Sequence, residues 1–272
     1  MKYMLITNNP VLAHEAEDFG VQRIFVDLEI NGKHERQGHL DTLISSHTMD
    51  DVPVIRAAIK EAELLVRLNP LYAGTADEVE AAIAAGADLL MLPYFHKVDD
   101  LKEFSNMVGG RAGIIPLVET HAATRAMAEI VKVDGLSEIY IGLNDLHLDM
   151  GLNFMFEPLV NGLMDELAGI IRQAGIPFGF GGIARVGEGV VPGEMVLGEH
   201  LRLGSSSVIL SRTFHRVDAE IEKDRASKIL ADELGKLIAL EAGLLSRSQD
   251  RVEKEHEQLS GVINNFVKAR RQ

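Results

Sequence analysis

Short apolar runs alternate with amphipathic stretches along most of the chain. Each run is rich in Ile, Val and Leu and is bounded by turn residues, a pattern typical of buried parallel strands. Amphipathic helical patterns separate the runs, and this alternation favours a (β/α)₈ TIM barrel over an open doubly wound sheet. The predicted strands are Tyr3–Thr7, Arg23–Glu29, Leu64–Leu68, Leu89–Pro93, Gly113–Thr120, Glu138–Asp145, Pro177–Gly182 and Ser207–Phe214.

The pattern predicts a barrel domain over residues 1–217 and a C-terminal helical extension over residues 218–272. The extension carries two apolar stripes at helical spacing, and such stripes must be buried. We expect burial against a neighbouring subunit and therefore a homo-oligomer; the alternative is that both helices fold back and cap the base of their own barrel. Gly243 is expected to end the first helix. The stripes are Ile221, Ile229, Leu230, Leu234, Leu237 and Ile238, then Val252, Leu259, Val262, Ile263 and Phe266.

Two acidic residues, Glu119 and Asp145, each end a predicted strand, and a helical stretch separates these strands. Strands joined in this way are parallel, so their carboxyl ends meet at one edge of the barrel. Two carboxylates there form an oxygen-rich site suited to a hard divalent cation. The alternative is two unrelated acids in helix caps or loops. Their joint position at the catalytic edge of consecutive strands favours a functional site.

Three more charged residues follow strands at the same predicted edge. Arg67 ends the third strand, where its guanidinium is suited to bind a substrate carboxylate with two parallel hydrogen bonds. The alternative for Arg67 is a salt bridge to a loop acid. Asp27 and Glu29 share one face of the second strand, where either can order metal-bound waters from outside the ligand set. Their alternative is an ion pair with a neighbouring strand.

Among the ten histidines, His47, His39 and His147 are possible acid/base groups, because each is expected near the catalytic edge. A solvated loop histidine is the alternative for each. The sequence has no HExxH or comparable zinc spacing, so a zinc enzyme is not predicted.

Composition narrows the class of protein. The 272 residues carry a net charge of −14, which argues against nucleic acid or an anionic membrane as a partner. A small anionic substrate remains compatible if a metal and nearby arginines offset the field. The absence of cysteine excludes disulfides, thiolate nucleophiles and iron–sulfur clusters. No apolar run is long enough to span a bilayer, and the first residues do not resemble a signal peptide, so we expect a cytoplasmic protein.

Five motifs in chain order resemble the HpcH/HpaI aldolase and citrate lyase family of phosphoenolpyruvate/pyruvate-type barrels. They are VDLE, VRLN, AIAAGADLLMLP, IIPLVET and IGLNDL, and the resemblance covers roughly residues 22–214. It implies Mg²⁺ or Mn²⁺ held by Glu119 and Asp145. It also implies that Arg67 steadies a pyruvate-like carboxylate or enolate oxygen. The backbone amides of Gly142, Leu143 and Asn144 would help to hold the substrate carboxylate.

The resemblance implies a class II pyruvate aldolase-like enzyme, a divalent-metal lyase that makes or breaks a C–C bond through a metal-bound enolate of a small 2-oxo acid. One departure is clear. The family's aldolases place a histidine directly after VDxE and an acid near the end of the helix after VRxx, whereas this chain has Ile30 and the pair Ala84 and Ala85. A loop histidine replaces this dyad, or the substrate or chemistry differs. The alternatives are a citryl- or malyl-CoA-type lyase, or a non-catalytic metal- or ligand-binding barrel.

Overall fold

Eight parallel strands close into a barrel in chain order in the computed structural model, which describes residues 1–31, 46–214 and 223–270. The predicted fold class, a (β/α)₈ TIM barrel, is therefore confirmed. Five of the observed strands are shorter than predicted, whereas β1, β3 and β7 have the predicted length with both bounds shifted by one residue. They are β1 Lys2–Ile6, β2 Arg23–Asp27, β3 Glu63–Arg67, β4 Leu89–Leu92, β5 Gly113–Val118, β6 Ile139–Ile141, β7 Phe178–Ile183 and β8 Ser207–Leu210.

The α-helices described by the structure surround the barrel. They are α1 Pro10–Asp18, α2 Asp51–Ala58, α3 Thr75–Ala84, α4 Val98–Val108, α5 His121–Arg125, α6 Met127–Ile130, α7 Leu143–Asp149, α8 Leu163–Gln173, α9 Gly193–Leu203, α10 Lys223–Leu244 and α11 Gln249–Arg270. Two single-turn 3₁₀ helices lie at Glu157–Leu159 and Arg212–Phe214. None of the described helices is long and apolar enough to cross a membrane.

Two local predictions differ from the structure. The stretch after Glu119 forms two short helices, α5 and α6, instead of one. The sixth strand ends at Ile141, so Asp145 lies in the first turn of α7 and not on a strand. Its side chain still lies beyond the carboxyl end of β6, because α7 begins directly after Gly142.

The amino-terminal end of the barrel interior contains a buried ionic group. Arg23, which begins β2, is 2% exposed and lies 2.9 Å from Glu63 and 3.0 Å from Glu138. Tyr140 and Phe25 belong to the apolar cluster inside the barrel. Residues at the amino-terminal end of a TIM barrel serve stability and not catalysis, so we assign a structural role to Arg23 and its two acidic partners.

The first tail helix, α10, lies in the helix ring, where it packs between α9 and α1. Leu230, Leu234 and Leu237 are fully buried within the single chain. These three residues of the predicted stripe are therefore buried against their own barrel, whereas Ile238 of the same stripe is 41% exposed. Gly243 lies inside α10, one residue before its end, instead of terminating it. The predicted boundary between residues 217 and 218 thus precedes a helix that completes the ring.

The second tail helix, α11, packs on the outside of α9. Its buried residues are Leu259, Ile263 and Val267. Near its end, the ring of Phe266 lies 4.3 Å from that of Phe154. Both tail helices therefore pack against their own barrel. This arrangement agrees with the alternative in that both helices fold back on their own barrel, but they lie along its wall and do not cap its base. Association into a homo-oligomer stays a prediction.

Candidate active site

Arg67 and Asp27 form the central ion pair at the carboxyl edge of β2 and β3. The two strands pair in register with Asp27 opposite Arg67. Nε and Nη2 of Arg67 donate to the two carboxylate oxygens of Asp27, each over 2.8 Å. The guanidinium lies 5.5 Å above the ring of Phe25, and its Nη1 is 3.3 Å from the carboxylate of Glu29.

This ion pair changes the predicted role of Arg67. The expectation was a two-pronged contact to a substrate carboxylate, but the structure gives the Nε–Nη2 side of the guanidinium to Asp27. Asp27 ends β2 and Glu29 lies two residues beyond it, and both acids pair with the arginine of the neighbouring strand, which is the alternative stated for them. The other edge of the guanidinium carries Nη1, which pairs with the carboxylate of Glu29.

The charge of Arg67 is secured by its acidic neighbours. Burial acts first, and it lowers the pKa of the guanidinium because it penalises the charged form. The negative charges of Asp27 and Glu29, the hydrogen bonds that Arg67 donates to Asp27 and the negative charge of Glu119 together outweigh burial and raise the pKa above its ordinary value. Arg67 is thus a permanent cation that links the acids of β2 to Glu119.

Glu119 follows β5 and is 3% exposed. Its Oε1 accepts a hydrogen bond of 3.0 Å from the backbone N–H of Tyr94. Tyr94 has φ +47°, in the left-handed region that residues other than glycine rarely adopt. Backbone strain of this kind clusters at functional sites, where the surrounding structure holds it in place. Here the strained residue is the one whose N–H donates to Glu119.

Gly142 keeps space open beside Glu119. A Cβ added at Gly142 would lie 2.7 Å from Oε2 and 3.0 Å from Cβ of Glu119. The glycine is therefore required sterically, because any side chain there would push the carboxylate aside. Its own N–H donates to the carbonyl of Val118 over 3.0 Å, so this amide, predicted to bind a substrate carboxylate, already has a partner in the backbone.

Asp145 is 6% exposed and lies in the first turn of α7. Nδ2 of Asn144 lies 3.4 Å from its Oδ1. The amides of Leu143 and Asn144 belong to the same turn, where backbone N–H groups have no carbonyl partner within the helix. Asp145 and these two amides therefore occur together at the edge that also holds Glu119.

The side chain of His47 lies next to Asp27, the last residue of β2. Its Nδ1 accepts a hydrogen bond of 3.0 Å from the backbone N–H of Asp27. Asp51 fixes the segment that follows, because its Oδ2 accepts from the N–H of Thr48 over 2.7 Å and from Nδ2 of Asn8 over 3.3 Å. The structure thus brings His47 next to the Arg67–Asp27 pair, as the sequence predicted for one of the three histidines.

The other two histidine candidates have different outcomes. His147 is on α7 two residues after Asp145, and side chains at this spacing do not share a helix face. Its Nδ1 contacts the carbonyl of Asn144 in its own helix. His147 is therefore directed away from the side of α7 that carries Asp145. His39 lies outside the described residues.

Asn69 anchors the chain where the long segment after β2 begins. Its Oδ1 accepts from the N–H groups of Ile30 and Asn31 over 3.0 and 2.9 Å, and its Nδ2 donates to Glu78 over 2.6 Å. Ile30, at the position of the family's histidine, is 54% exposed. The missing histidine is therefore not replaced by another polar side chain at this position.

The acidic side chains at this edge determine which metal ion the site could hold. Within residues 1–31, 46–214 and 223–270, no group of three or more His, Asp or Glu side chains is close enough to hold an ion. Mg²⁺ needs fewer protein ligands, because it commonly binds one or two carboxylates and keeps waters or substrate oxygens. Glu119 and Asp145 fit this smaller ligand set, and the space that Gly142 preserves beside Oε2 of Glu119 is consistent with it.

Sequence reasoning missed two residues of the site. Tyr94 supplies a backbone amide from a strained conformation, which no residue pattern reveals. Asn69 was part of the VRLN motif but received no role. A polar residue directly after the predicted strand Leu64–Leu68 was the available signal for Asn69, which lies two positions beyond Arg67.

The chain belongs to the HpcH/HpaI aldolase/citrate lyase family. The profile of this family matches residues 3–157, more than half of the chain. The family joins aldolases and citrate lyases, so membership identifies a C–C lyase in general terms, and the family is generally dependent on a divalent metal. No curated protein matches the chain.

Solved structures share the fold at low sequence identity. An HpcH/HpaI aldolase from Desulfitobacterium hafniense DCB-2 has a TM-score of 0.58 at 16% identity, covering 77% of this chain and 85% of that one. An HpcH/HpaI aldolase/citrate lyase family protein from Burkholderia cenocepacia J2315 has 0.59 at 16%, covering 88% and 94%. RipC from Yersinia pestis has 0.58 at 15%, covering 93% and 98%. At these identities the likeness supports the fold alone.

Proposed function

We infer that this protein is a divalent-metal-dependent aldolase or lyase of the class II pyruvate aldolase type, acting on a small 2-oxo acid. The observation that carries the proposal is the position of two buried carboxylates, Glu119 and Asp145, at the catalytic edge of the barrel. Arg67 supplies a permanent positive charge at the same edge. A Lewis acid and a fixed cation are what an enolate-forming reaction requires.

Glu119 and Asp145 would hold Mg²⁺ or Mn²⁺, with Asp27 and Glu29 outside the ligand set. When bound, the metal would polarise the 2-oxo group and stabilise negative charge on its oxygen. The amide of Tyr94 fixes one oxygen of Glu119, and Gly142 leaves room beside the other. The amide of Tyr94 and the space at Gly142 would therefore orient the carboxylate of Glu119 in advance. This orientation lowers the free-energy cost of binding a metal ion.

Arg67 would act through the edge that Asp27 does not occupy. Asp27 holds the guanidinium on its Nε–Nη2 side, and the ring of Phe25 lies beneath it, so the cation has one fixed orientation. A fixed cation stabilises developing negative charge better than a mobile one, because little reorganisation accompanies the reaction. Its proposed target is the carboxylate or enolate oxygen of the 2-oxo acid.

The substrate carboxylate would lie at the start of α7. The amides of Leu143 and Asn144 are the proposed donors, and the positive end of the helix favours an anion there. Two histidines, His47 and His147, were predicted as acid/base groups. His47 lies beside Asp27 at the end of β2, whereas His147 faces away from Asp145 on α7. The chain's net charge of −14 makes such local donors necessary for an anionic substrate.

Turnover of oxaloacetate and of 4-hydroxy-2-oxo acids, with and without added Mn²⁺, tests the proposal. The expected result is cleavage that requires the metal and is abolished by excess chelator. Metal and pyruvate binding without turnover of any of these compounds would favour the non-catalytic ligand-binding alternative. Full activity in excess chelator would overturn the metal-dependent mechanism.

A further inference from the structure

We propose that His47 is a catalytic hydrogen-bond donor, acting through Nε2–H on a substrate oxygen, and that it is not the general base of the reaction. The inference rests on the proposed function and assigns a chemical role within that site. It follows from the contact at Nδ1, which fixes the protonation of the imidazole ring, together with the position of the ring beside the end of β2.

The contact to Asp27 decides the tautomer of His47. A backbone N–H can only donate, so Nδ1 of His47, 3.0 Å away, must accept with its lone pair. In the neutral ring, one nitrogen carries the proton and the other carries the lone pair. The proton of neutral His47 is therefore on Nε2. A general base acting through Nε2 would need a lone pair on that atom, and this tautomer has none there.

The same contact fixes the ring in space. Nδ1 is held against the last residue of β2, so Nε2, on the far side of the ring, points away from that backbone. Asp51 holds the following residue, Thr48, through its N–H and is itself bound by Asn8, which comes shortly after β1. His47 is thus attached to the ends of two adjacent strands, on the edge where TIM-barrel enzymes bind their substrates.

The side chain of Asp27 connects this donor to Arg67. The backbone N–H of Asp27 orients His47, and its carboxylate orients Arg67. One strand end therefore positions two donors, a cation and a neutral N–H group. In the proposed reaction, Arg67 acts on the enolate side, and His47 would donate to the oxygen at the carbon where the C–C bond forms or breaks.

A neutral donor suits that oxygen. Negative charge develops there as the enolate carbon attacks an aldehyde carbonyl: the C–C bond forms, the carbonyl π electron pair moves to the oxygen, and the resulting alkoxide then takes its proton from solvent water. A positioned N–H group stabilises this charge without giving up its proton. No proton leaves His47 in this role, and removal of such a donor typically lowers kcat by roughly 10²- to 10³-fold.

Nitrogen-15 NMR of the labelled, full-length protein tests the tautomer without any substrate. Near neutral pH we expect His47 to be protonated at Nε2 and unprotonated at Nδ1. The signals of His47 are identified as those that are missing from the spectrum of His47→Gln. Protonation at Nδ1 instead would overturn the proposal, whatever the activity of the enzyme.

Two amide variants separate the roles of the two nitrogens. The side-chain N–H of Gln in His47→Gln approximates the position of Nε2, whereas the amide oxygen of Asn in His47→Asn approximates Nδ1 as an acceptor for Asp27. A donor role predicts that His47→Gln keeps kcat within about tenfold, whereas His47→Asn loses about 100-fold. The surface variant His14→Asn, in α1, is the control and should leave kcat unchanged.

The opposite results have distinct meanings. Activity in His47→Asn with loss in His47→Gln would show that the ring only positions Asp27. Equal loss in both, with disappearance of one limb of the pH–rate profile, would show a general base, because an amide does not accept a proton at neutral pH. Either result would overturn the proposal, provided that urea unfolding and Mn²⁺ affinity show both variants to be folded and metal-competent. Lack of turnover by the wild-type protein would instead contradict the proposed function, and the NMR experiment would still decide the tautomer.

Discussion

Arg67 donates from Nε and Nη2 to the two oxygens of Asp27, 2.8 Å each, across the carboxyl ends of two adjacent strands. Planar pairing of this kind depends on the geometry of the guanidinium as much as on its charge. It also uses the face of Arg67 that a substrate carboxylate would otherwise occupy. The relationship makes Asp27 the residue that sets the orientation of the cation in the site.

Replacement of Arg67 by lysine keeps the positive charge and removes the paired hydrogen bonds. Loss of one charged hydrogen bond costs about 1.5–3 kcal/mol, so we expect kcat/KM for a 2-oxo acid substrate to fall roughly 10- to 100-fold in Arg67→Lys. The surface pair of Arg111 with Glu80 provides the control, and Arg111→Lys should leave the kinetics unchanged. Unchanged kinetics in Arg67→Lys would mean that Arg67 is structural.

Glu119→Gln conserves side-chain volume and removes the negative charge proposed to hold the metal. We expect kcat to fall more than about 100-fold, with a parallel loss of Mn²⁺ affinity in calorimetry. Glu129→Gln, at an exposed position of α6, should change neither quantity. If Glu119→Gln binds Mn²⁺ as tightly as the wild-type protein, Glu119 is not a metal ligand.

Gly142→Ala tests the steric role of the glycine. The added Cβ would lie 2.7 Å from Oε2 of Glu119 and must displace the carboxylate. We expect Mn²⁺ affinity to fall about 10- to 100-fold, a loss typical of changes around a metal ligand. The matched control is Gly235→Ala, in the exposed interior of α10 with no atom within 4 Å of the new Cβ. It should stabilise the protein by about 0.5–1 kcal/mol and leave metal binding unaltered.

His200 should make stability depend on pH in the acidic range. It is fully buried, with its ring stacked on Phe180 at 3.7 Å between centroids. Burial, followed by the positive charge of the chain's amino terminus, lowers its pKa from 6.5 to about 3. The unfolded chain therefore binds a proton at this residue below pH 6.5, whereas the folded chain does not until about pH 3. This contribution to stability is complete above the unfolded pKa and is lost as the pH falls through that window.

Urea unfolding of the wild-type protein and of His200→Asn measures the effect. Each pH unit below the unfolded pKa removes about 1.4 kcal/mol, so between about pH 7 and pH 5 the wild type should lose about 2 kcal/mol more than the variant. Asn is chosen because it is neutral and retains a polar group near Ser205, which lies 2.8 Å from Nδ1 of His200. Equal losses in the two proteins would contradict a depressed pKa.

Two truncations distinguish the roles of the tail helices. Removal of residues 247–272 deletes α11 and uncovers one side of α9, whereas removal of residues 219–272 also opens the helix ring. We expect the shorter truncation to remain folded with lower stability and the longer one to be insoluble, because the surface that buries Leu230, Leu234 and Leu237 is exposed only in the latter. A soluble, folded product of the longer truncation would show that α10 is not needed to close the ring.

Light scattering tests the predicted homo-oligomer. The full-length chain has a mass of 29.8 kDa, and the prediction requires a multiple of this value at micromolar concentration. If α11 also contributes an interface, the shorter truncation will have a lower order of assembly. A mass of one chain for the full-length protein would rule out the homo-oligomer.

The alternating pattern of apolar runs was sufficient to predict the closed barrel and the edge at which Glu119, Asp145, Arg67 and Asp27 occur. The physical reason is local: strand burial and the direction of β–α–β connections depend on residue order, and they bring the carboxyl ends of all strands together. The motifs around these residues likewise identified the family from their order along the chain.

Only the tertiary structure decided which groups pair within that edge. Asp27 occupies the side of Arg67 that the sequence had left for a substrate, and His47 accepts from the backbone of a residue twenty positions away. Tyr94, which has a positive φ, donates its N–H to Glu119, and α10 completes the helix ring. Each of these features depends on distances between segments remote in sequence. A linear pattern specifies which side chains reach an edge, whereas the packed strands and loops determine which donor meets which acceptor.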